Sequence, residues 1–154
     1  SGGGQLNDSG SHLLDIILWI TGLAVTEVFA FINHRGAPVD INSAISLRFD
    51  NGSEGNVSVV GDARAWWEDL TLWGENGAFF YRNGRLFEQM GDAQAREVTD
   101  LPHFSNPDQN FIYAILGKEE PQAPGICGLR VIELTEAAWR SGSTGAPARV
   151  ERAP

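Results

Sequence analysis

Hydrophobic positions change their period along this chain, and each change marks an element boundary. Over Leu13–Ile20 the apolar residues nearly encircle a helix. Leu13, Ile16, Ile17 and Ile20 form one stripe, and Leu14 and Leu18 fill most of the rest. The spacing predicts a helix over residues 7–21, buried almost all round, with Gly22 as its C-terminal stop. The pattern then turns to β-branched and aromatic residues at Val25–Asn33 and to alternation at Ala44–Phe49. Asp50-Asn51-Gly52-Ser53 reads as a hairpin turn into Asn56–Val60. Trp67–Trp73, Ala78–Tyr81 and Arg85–Gln89 follow, joined by turns at Glu75-Asn76-Gly77 and Asn83-Gly84. Together these predict an antiparallel meander across about 25–90.

The helical period returns after a polar stretch. Asn106-Pro107-Asp108 reads as a cap with proline in the first turn of a helix over about 107–117, and a last helix runs over about 126–141 before a tail at 142–154. Helix, strands, helix, helix is an α+β order: an open, predominantly antiparallel sheet with helices packed on one face, in a single domain spanning 1–154. Trp66, Trp67, Trp73, Phe79, Phe80 and Tyr81 are more large groups than a solvated sheet face needs. Half are expected under the helices and the remainder against a partner, with a homo-oligomer contact favoured.

One polar line interrupts the first helix. Asp8, His12 and Asp15 fall on a narrow stripe that Trp19 continues. On a buried helix such groups need partners. Two accounts compete for them. Asp8 suits a helix start, where it would satisfy free N–H groups, and His12 could be a core histidine held by Asp8 or Asp15. Alternatively the line carries chemistry, and it is the best place in the sequence to look for it. No second His or Cys lies nearby to complete a metal site, so no metal is expected. Arg64, Trp66 and His103 are weaker candidates for a pocket wall, and Cys127 reads as a small buried filler.

Composition narrows the class. A net charge of −9 argues against nucleic acid or an anionic membrane as partner. The lone Cys127 excludes an internal disulfide and suits a reducing cytoplasm. No apolar run reaches membrane-spanning length, and no secretion signal is visible, so the three Asn-x-Ser sequences at Asn7, Asn51 and Asn56 read as chance. The only methionine is Met90, and the chain opens in a turn and helix cap; both suggest a domain cut from a longer protein.

Gly2-Gly3-Gly4-x-Leu6-x-Asp8-x-Gly10-x-His12-x-x-Asp15-x-x-x-Trp19-x-x-Gly22 resembles the signature opening the C-terminal domain of the glucose–fructose oxidoreductase / inositol dehydrogenase (Gfo/Idh/MocA) family. Trp73–Gly77, Asn110–Ile112, Gly128–Leu134, Ala137-Ala138 and Ser141-x-x-Thr144-Gly145 resemble that family's mid-sheet turn, closing helix and tail. The resemblance implies one half of a two-domain NAD(P)-dependent oxidoreductase acting on a sugar, polyol or related hydroxylated molecule. A preceding Rossmann domain, absent here, would bind NAD or NADP and supply a lysine from a Glu-Lys-Pro motif; Lys118-Glu119-Glu120-Pro121 lies too late to be that motif. Carried over by position, Asp8 and His12 would be the family's proton-transfer pair, with His12 as general acid/base, Asp8 as its partner or a substrate hydroxyl acceptor, and Asp15 as a weaker substrate contact. The resemblance also implies that the sheet is an oligomer contact and that this chain is inactive alone. The alternatives are a non-catalytic interaction module of the same fold and a domain of an NAD-dependent glycosidase. The position of Cys127 departs from the acidic residue common in relatives.

Overall fold

The computed structural model describes residues 3–153; Gly2 of the glycine run and Pro154 of the tail lie outside the described residues. The chain divides into two compact units, Ser1–Asp62 with Pro121–Pro154, and Ala63–Glu120.

The first unit sets two helices on one face of an antiparallel sheet. Its strands are β1 (Val25–Asn33), β2 (Asn42–Phe49) and β3 (Glu54–Val60), with a late, two-residue β8 (Ala148–Arg149), in the order β3-β2-β1-β8. Alternation decides the faces. Val28, Ala30, Ile45, Leu47, Phe49, Val57 and Val59 point to the buried side, while Phe31, Ala44, Ser46, Arg48, Asn56 and Ser58 point away. The β2–β3 turn forms as expected, with Asn51 Oδ1 accepting from the Ser53 N–H at 2.9 Å and Gly52 at φ +87°.

Helix α1 (Ser9–Thr21) lays Gly10, Leu14 and parts of Leu13, Ile17 and Leu18 on this core. It ends at Gly22, whose φ of +63° lets its N–H close on the Leu18 carbonyl. The expectation of a helix buried all round is corrected here. Ile16, Trp19 and Ile20 are exposed, Trp19 at 67%. Only one face of α1 meets the sheet and the last helix, so apolar residues on its far side are left uncovered by the described residues.

Helix α3 (Gly125–Thr144) runs longer at both ends than the sequence pattern predicts. Its inner face is made of small residues, Ala137, Ala138, Ser141 and Gly142, which brings its backbone close to β1. A Cβ at Gly142 would stand 2.8 Å from Ile32. The close approach also settles a backbone account. β8 pairs only with Glu27 and Val28 of β1, and further along the Ser141 hydroxyl accepts the Ala30 N–H at 2.9 Å while donating to the Ala146 carbonyl.

The second unit is a separate meander, β4 (Asp69–Gly74), β5 (Gly77–Arg82), β6 (Arg85–Met90) and β7 (Arg96–Glu97), followed by α2 (Pro107–Ile115). The single meander expected across 25–90 is therefore two sheets. The first ladder stops where the Gly61 N–H returns to the Ile41 carbonyl, and residues 61–68 form no strand. Arg82 pairs with Arg85 across Asn83-Gly84, both at positive φ, which is the two-residue hairpin that Asn-Gly favours. None of the six aromatic residues expected partly under helices is fully buried; Trp66, Trp67 and Trp73 are largely exposed. Trp73 stands edge-on to Phe80, and Arg82 lies over that ring. Asn106 caps α2 by accepting the Gln109 N–H, with proline in the first turn as predicted.

Two outcomes are expected from this packing. Leu14→Ala removes a fully buried side chain and should cost about 2–5 kcal/mol in equilibrium urea unfolding. The second concerns Glu133 on α3. Burial raises the pKa of this carboxyl, but the Arg130 guanidinium at 2.7 Å, the Ala153 N–H at 2.6 Å and the charge of Arg152 outweigh it, leaving a pKa below the ordinary value. Such a group stabilises the fold above its unfolded pKa of about 4.3, and that contribution is lost as pH falls through the lower folded pKa. Thermal scans against pH should thus show Tm falling below about pH 4. Glu133→Gln should start lower at neutral pH and show a flatter acid limb.

Candidate functional site

The candidate site begins with a turn that glycine makes possible. Gly4, which is buried, sits so close to Asp40 that a Cβ would stand 2.5 Å from its Oδ1 and nearer still to its carbonyl oxygen. From there the chain folds tightly into the helix. The Gly4 carbonyl accepts the N–H groups of Asn7 and Asp8 at 3.1 and 3.0 Å, and the Gln5 carbonyl accepts that of Gly10 at 2.9 Å. The turn's own carbonyls thus take N–H groups at the helix start that a capping side chain would otherwise serve.

Asp8 is consequently released from the helix-start role. It stands at the N-cap position, but its side chain makes no cap hydrogen bond and is exposed. One turn on, His12 projects from the same face and is also exposed. Neither side chain makes a hydrogen bond or ion pair among the described residues, so His12 is not a core histidine satisfied by Asp8 or Asp15. Leu14 and Gly10 occupy the buried face behind them.

Asp15 is placed differently. It is half-buried and lines a cavity of about 260 Å³ between α1, α3 and the C-terminal tail, a cavity whose lining includes neither Asp8 nor His12. Trp19, Cys127, Arg130, Glu133 and Arg152 share that lining. Asp15 makes no ion pair there among the described residues; Arg130 is held by Glu133. Cys127 is half-buried, and Arg64, Trp66 and His103 are exposed on the second unit. Among the described residues no three His, Cys, Asp or Glu side chains converge as a metal site, and no helix is long and apolar enough to cross a membrane.

The residue that sequence reasoning missed is Asp40. Only 3% exposed, its carboxylate accepts the Leu6 N–H at 2.7 Å and the Trp139 indole N–H at 2.9 Å, while its carbonyl accepts the Gln5 N–H at 2.9 Å. In sequence it is one polar residue in the turn-rich stretch between two strands. The signal was the glycine run itself, which implies close backbone approach to something not yet identified.

The family model for the GFO/IDH/MocA C-terminal domain matches residues 1–80. No curated protein sequence matches the chain. Among solved structures, the fold resembles aldose-aldose oxidoreductase from Caulobacter crescentus, complexed with glycerol, with a TM-score of 0.85 and 20% identity over 97% of this chain and 48% of that one. It also resembles the WlbA dehydrogenase from Bordetella pertussis, solved with NADH and UDP-GlcNAcA, at TM-score 0.79 and 22% identity over 98% of this chain and 46% of that one. Levoglucosan dehydrogenase in complex with NADH gives 0.83 and 17%, over 99% and 52%. The chain thus spans about half the length of the solved chains it matches. With the antiparallel sheet, the covering helices and the glycine turn before Asp8 and His12 all in place, the chain belongs to the GFO/IDH/MocA C-terminal domain family of oxidoreductases.

Proposed function

We propose that this chain is the substrate-facing and oligomer-forming domain of an NAD(P)-dependent oxidoreductase acting on a sugar, polyol or related hydroxylated molecule. The observation that carries this reading is the pair of unpartnered, exposed side chains of Asp8 and His12 on the outer face of a helix whose inner face is locked into the core.

Among the described residues both sheets are wholly antiparallel, and no strand enters a helix through a glycine-rich turn in the manner of a nucleotide-binding crossover. The nicotinamide cofactor is assigned to the rest of the polypeptide, where it supplies the hydride acceptor. This chain handles the proton. His12 accepts the hydroxyl proton of the alcohol as its carbon is oxidised and returns it in the reverse direction, a task suited to imidazole near neutral pH. Asp8, at i−4 on the same exposed face, serves as the partner of His12 once substrate is bound or accepts a second substrate hydroxyl. Ile16, Trp19 and Ile20 continue the same outer face as an apolar collar. An apolar helix face of this kind suits docking of the cofactor-bearing half, which would exclude water beside His12.

The oligomer contact is assigned to exposed sheet surface. In the first unit the face away from the helices carries the small residues Ala44, Ser46 and Ser58 beside Phe31, whose ring meets Phe29 edge-on at 5.0 Å. Such small residues let another sheet approach this face. A reducing cytoplasm suits the single, half-buried Cys127.

The test uses the full-length enzyme, a panel of sugars and polyols, and both NAD and NADP. His12→Asn should lower kcat by roughly 10²- to 10⁴-fold with the dinucleotide KM unchanged, and Asp8→Asn should lower it less. The 154-residue chain alone should show no turnover. Wild-type turnover in His12→Asn would sink the proton-transfer role and leave a non-catalytic interaction module. Ser46→Arg should reduce the oligomer to a smaller species in light scattering without lowering Tm; an unchanged mass would remove the first sheet from the interface.

A further inference from the structure

The geometry points to Asp40 as the positioning residue of the Asp8/His12 pair, and to Trp139 as the link that ties it to α3. This rests on the reading of Asp8 and His12 as the proton-transfer pair. Asp8 and His12 have no side-chain partners among the described residues, so the backbone alone sets where they stand. The polar contacts that tie the first turn of that backbone to the sheet gather on one residue. Asp40 grips Leu6 through Oδ2 and Gln5 through its carbonyl, and it abuts Gly4, whose carbonyl in turn receives the N–H of Asp8.

Asp40 is itself fixed by the sheet. The next residue, Ile41, donates its N–H to the Asn33 carbonyl at 3.0 Å and accepts that of Gly61 at 2.9 Å, closing both sides of the β1–β2 loop. The remaining carboxylate oxygen, Oδ1, takes the indole N–H of Trp139 from the C-terminal half of α3. Among the described residues this buried carboxylate forms no ion pair, and its two oxygens accept from two different donors. An amide could not replace it, because asparagine offers one acceptor oxygen and would turn an NH₂ toward the other donor. One buried side chain thus joins sheet, α3 and the turn that aims the pair.

The test compares Asp40→Asn with the wild-type chain, without needing a substrate. Hydrogen exchange at the Leu6–Asp8 amides should accelerate roughly 10- to 100-fold in Asp40→Asn, the loss expected of a hydrogen bond to a charged acceptor, while β2 and β3 stay protected. The His12 ring signal in NMR should move while those of His34 and His103 do not. In the full-length enzyme kcat should fall about 10- to 100-fold with the dinucleotide KM unchanged, the cost of a misplaced catalytic group. If Asp40→Asn does not fold, Trp139→Phe decides, since it removes one donor and keeps a ring; the same signature is expected, smaller in size. Wild-type exchange and an unmoved His12 signal in the folded variant would overturn the assignment. Full activity of His12→Asn would instead overturn the proton-transfer role, and the exchange and NMR signatures would still decide whether Asp40 places the pair.

Discussion

At Gly4 a carboxylate lies where a side chain would otherwise be. Asp40 is buried at the end of the β1–β2 loop and makes three hydrogen bonds, two to the Gln5–Leu6 backbone and one to the Trp139 indole. Satisfying a buried carboxylate by backbone N–H groups requires the backbone to come to it, and only a residue without Cβ can pass at Gly4. Gly61 yields in the same way to Gln5, whose side chain occupies the space a Cβ there would take. Leu6, fully buried, then anchors the turn from its apolar side. Polar and apolar constraints converge on one short segment, and the start of α1 follows from them.

That arrangement separates two jobs that a helix start usually combines. The helix N-terminus is served by carbonyls of its own turn, so Asp8 is free of capping, and the core is served by Leu14 and its neighbours, so His12 is free of packing. What is left on the outer face is a carboxylate and an imidazole beside Ile16, Trp19 and Ile20. Its apolar part is left exposed by the described residues. It is intelligible on a chain that spans about half the length of its solved relatives.

α3 plays the complementary part. Its small inner residues let it approach β1 closely, and its length carries Trp139 to Asp40 and Glu133 to the Ala153 N–H in the tail. Lowering of the Glu133 pKa by Arg130 and the tail, against the opposing effect of burial, shows that this end of the unit depends on electrostatics as well as packing. In the second unit short hairpins and surface ion pairs dominate, as with Arg85 and Glu97, where hydrogen bonds and the neighbouring charge hold the carboxyl below its usual range.

Local chemistry was legible in the sequence wherever a few adjacent residues decide the outcome. Asn83-Gly84, Asn51-Gly52, Gly22 and Asn106-Pro107 each impose a backbone conformation or a cap by themselves, and each element they bound was readable. The α+β class, the covering of one sheet face by helices and the stripe holding Asp8 and His12 followed from period alone. The limit came where distant residues meet. Which face of α1 is buried depends on how many neighbours pack against it, not on how apolar its residues are, so Ile16 and Ile20 are exposed on a helix whose pattern predicts burial almost all round. The division of the strands into two sheets depends on where Gly61 closes on Ile41. Asp15 shares a stripe with His12 in sequence and a cavity with Arg130 in space. Asp40 gained its importance only from contacts spanning 34 and 99 residues, separations at which no local pattern carries information.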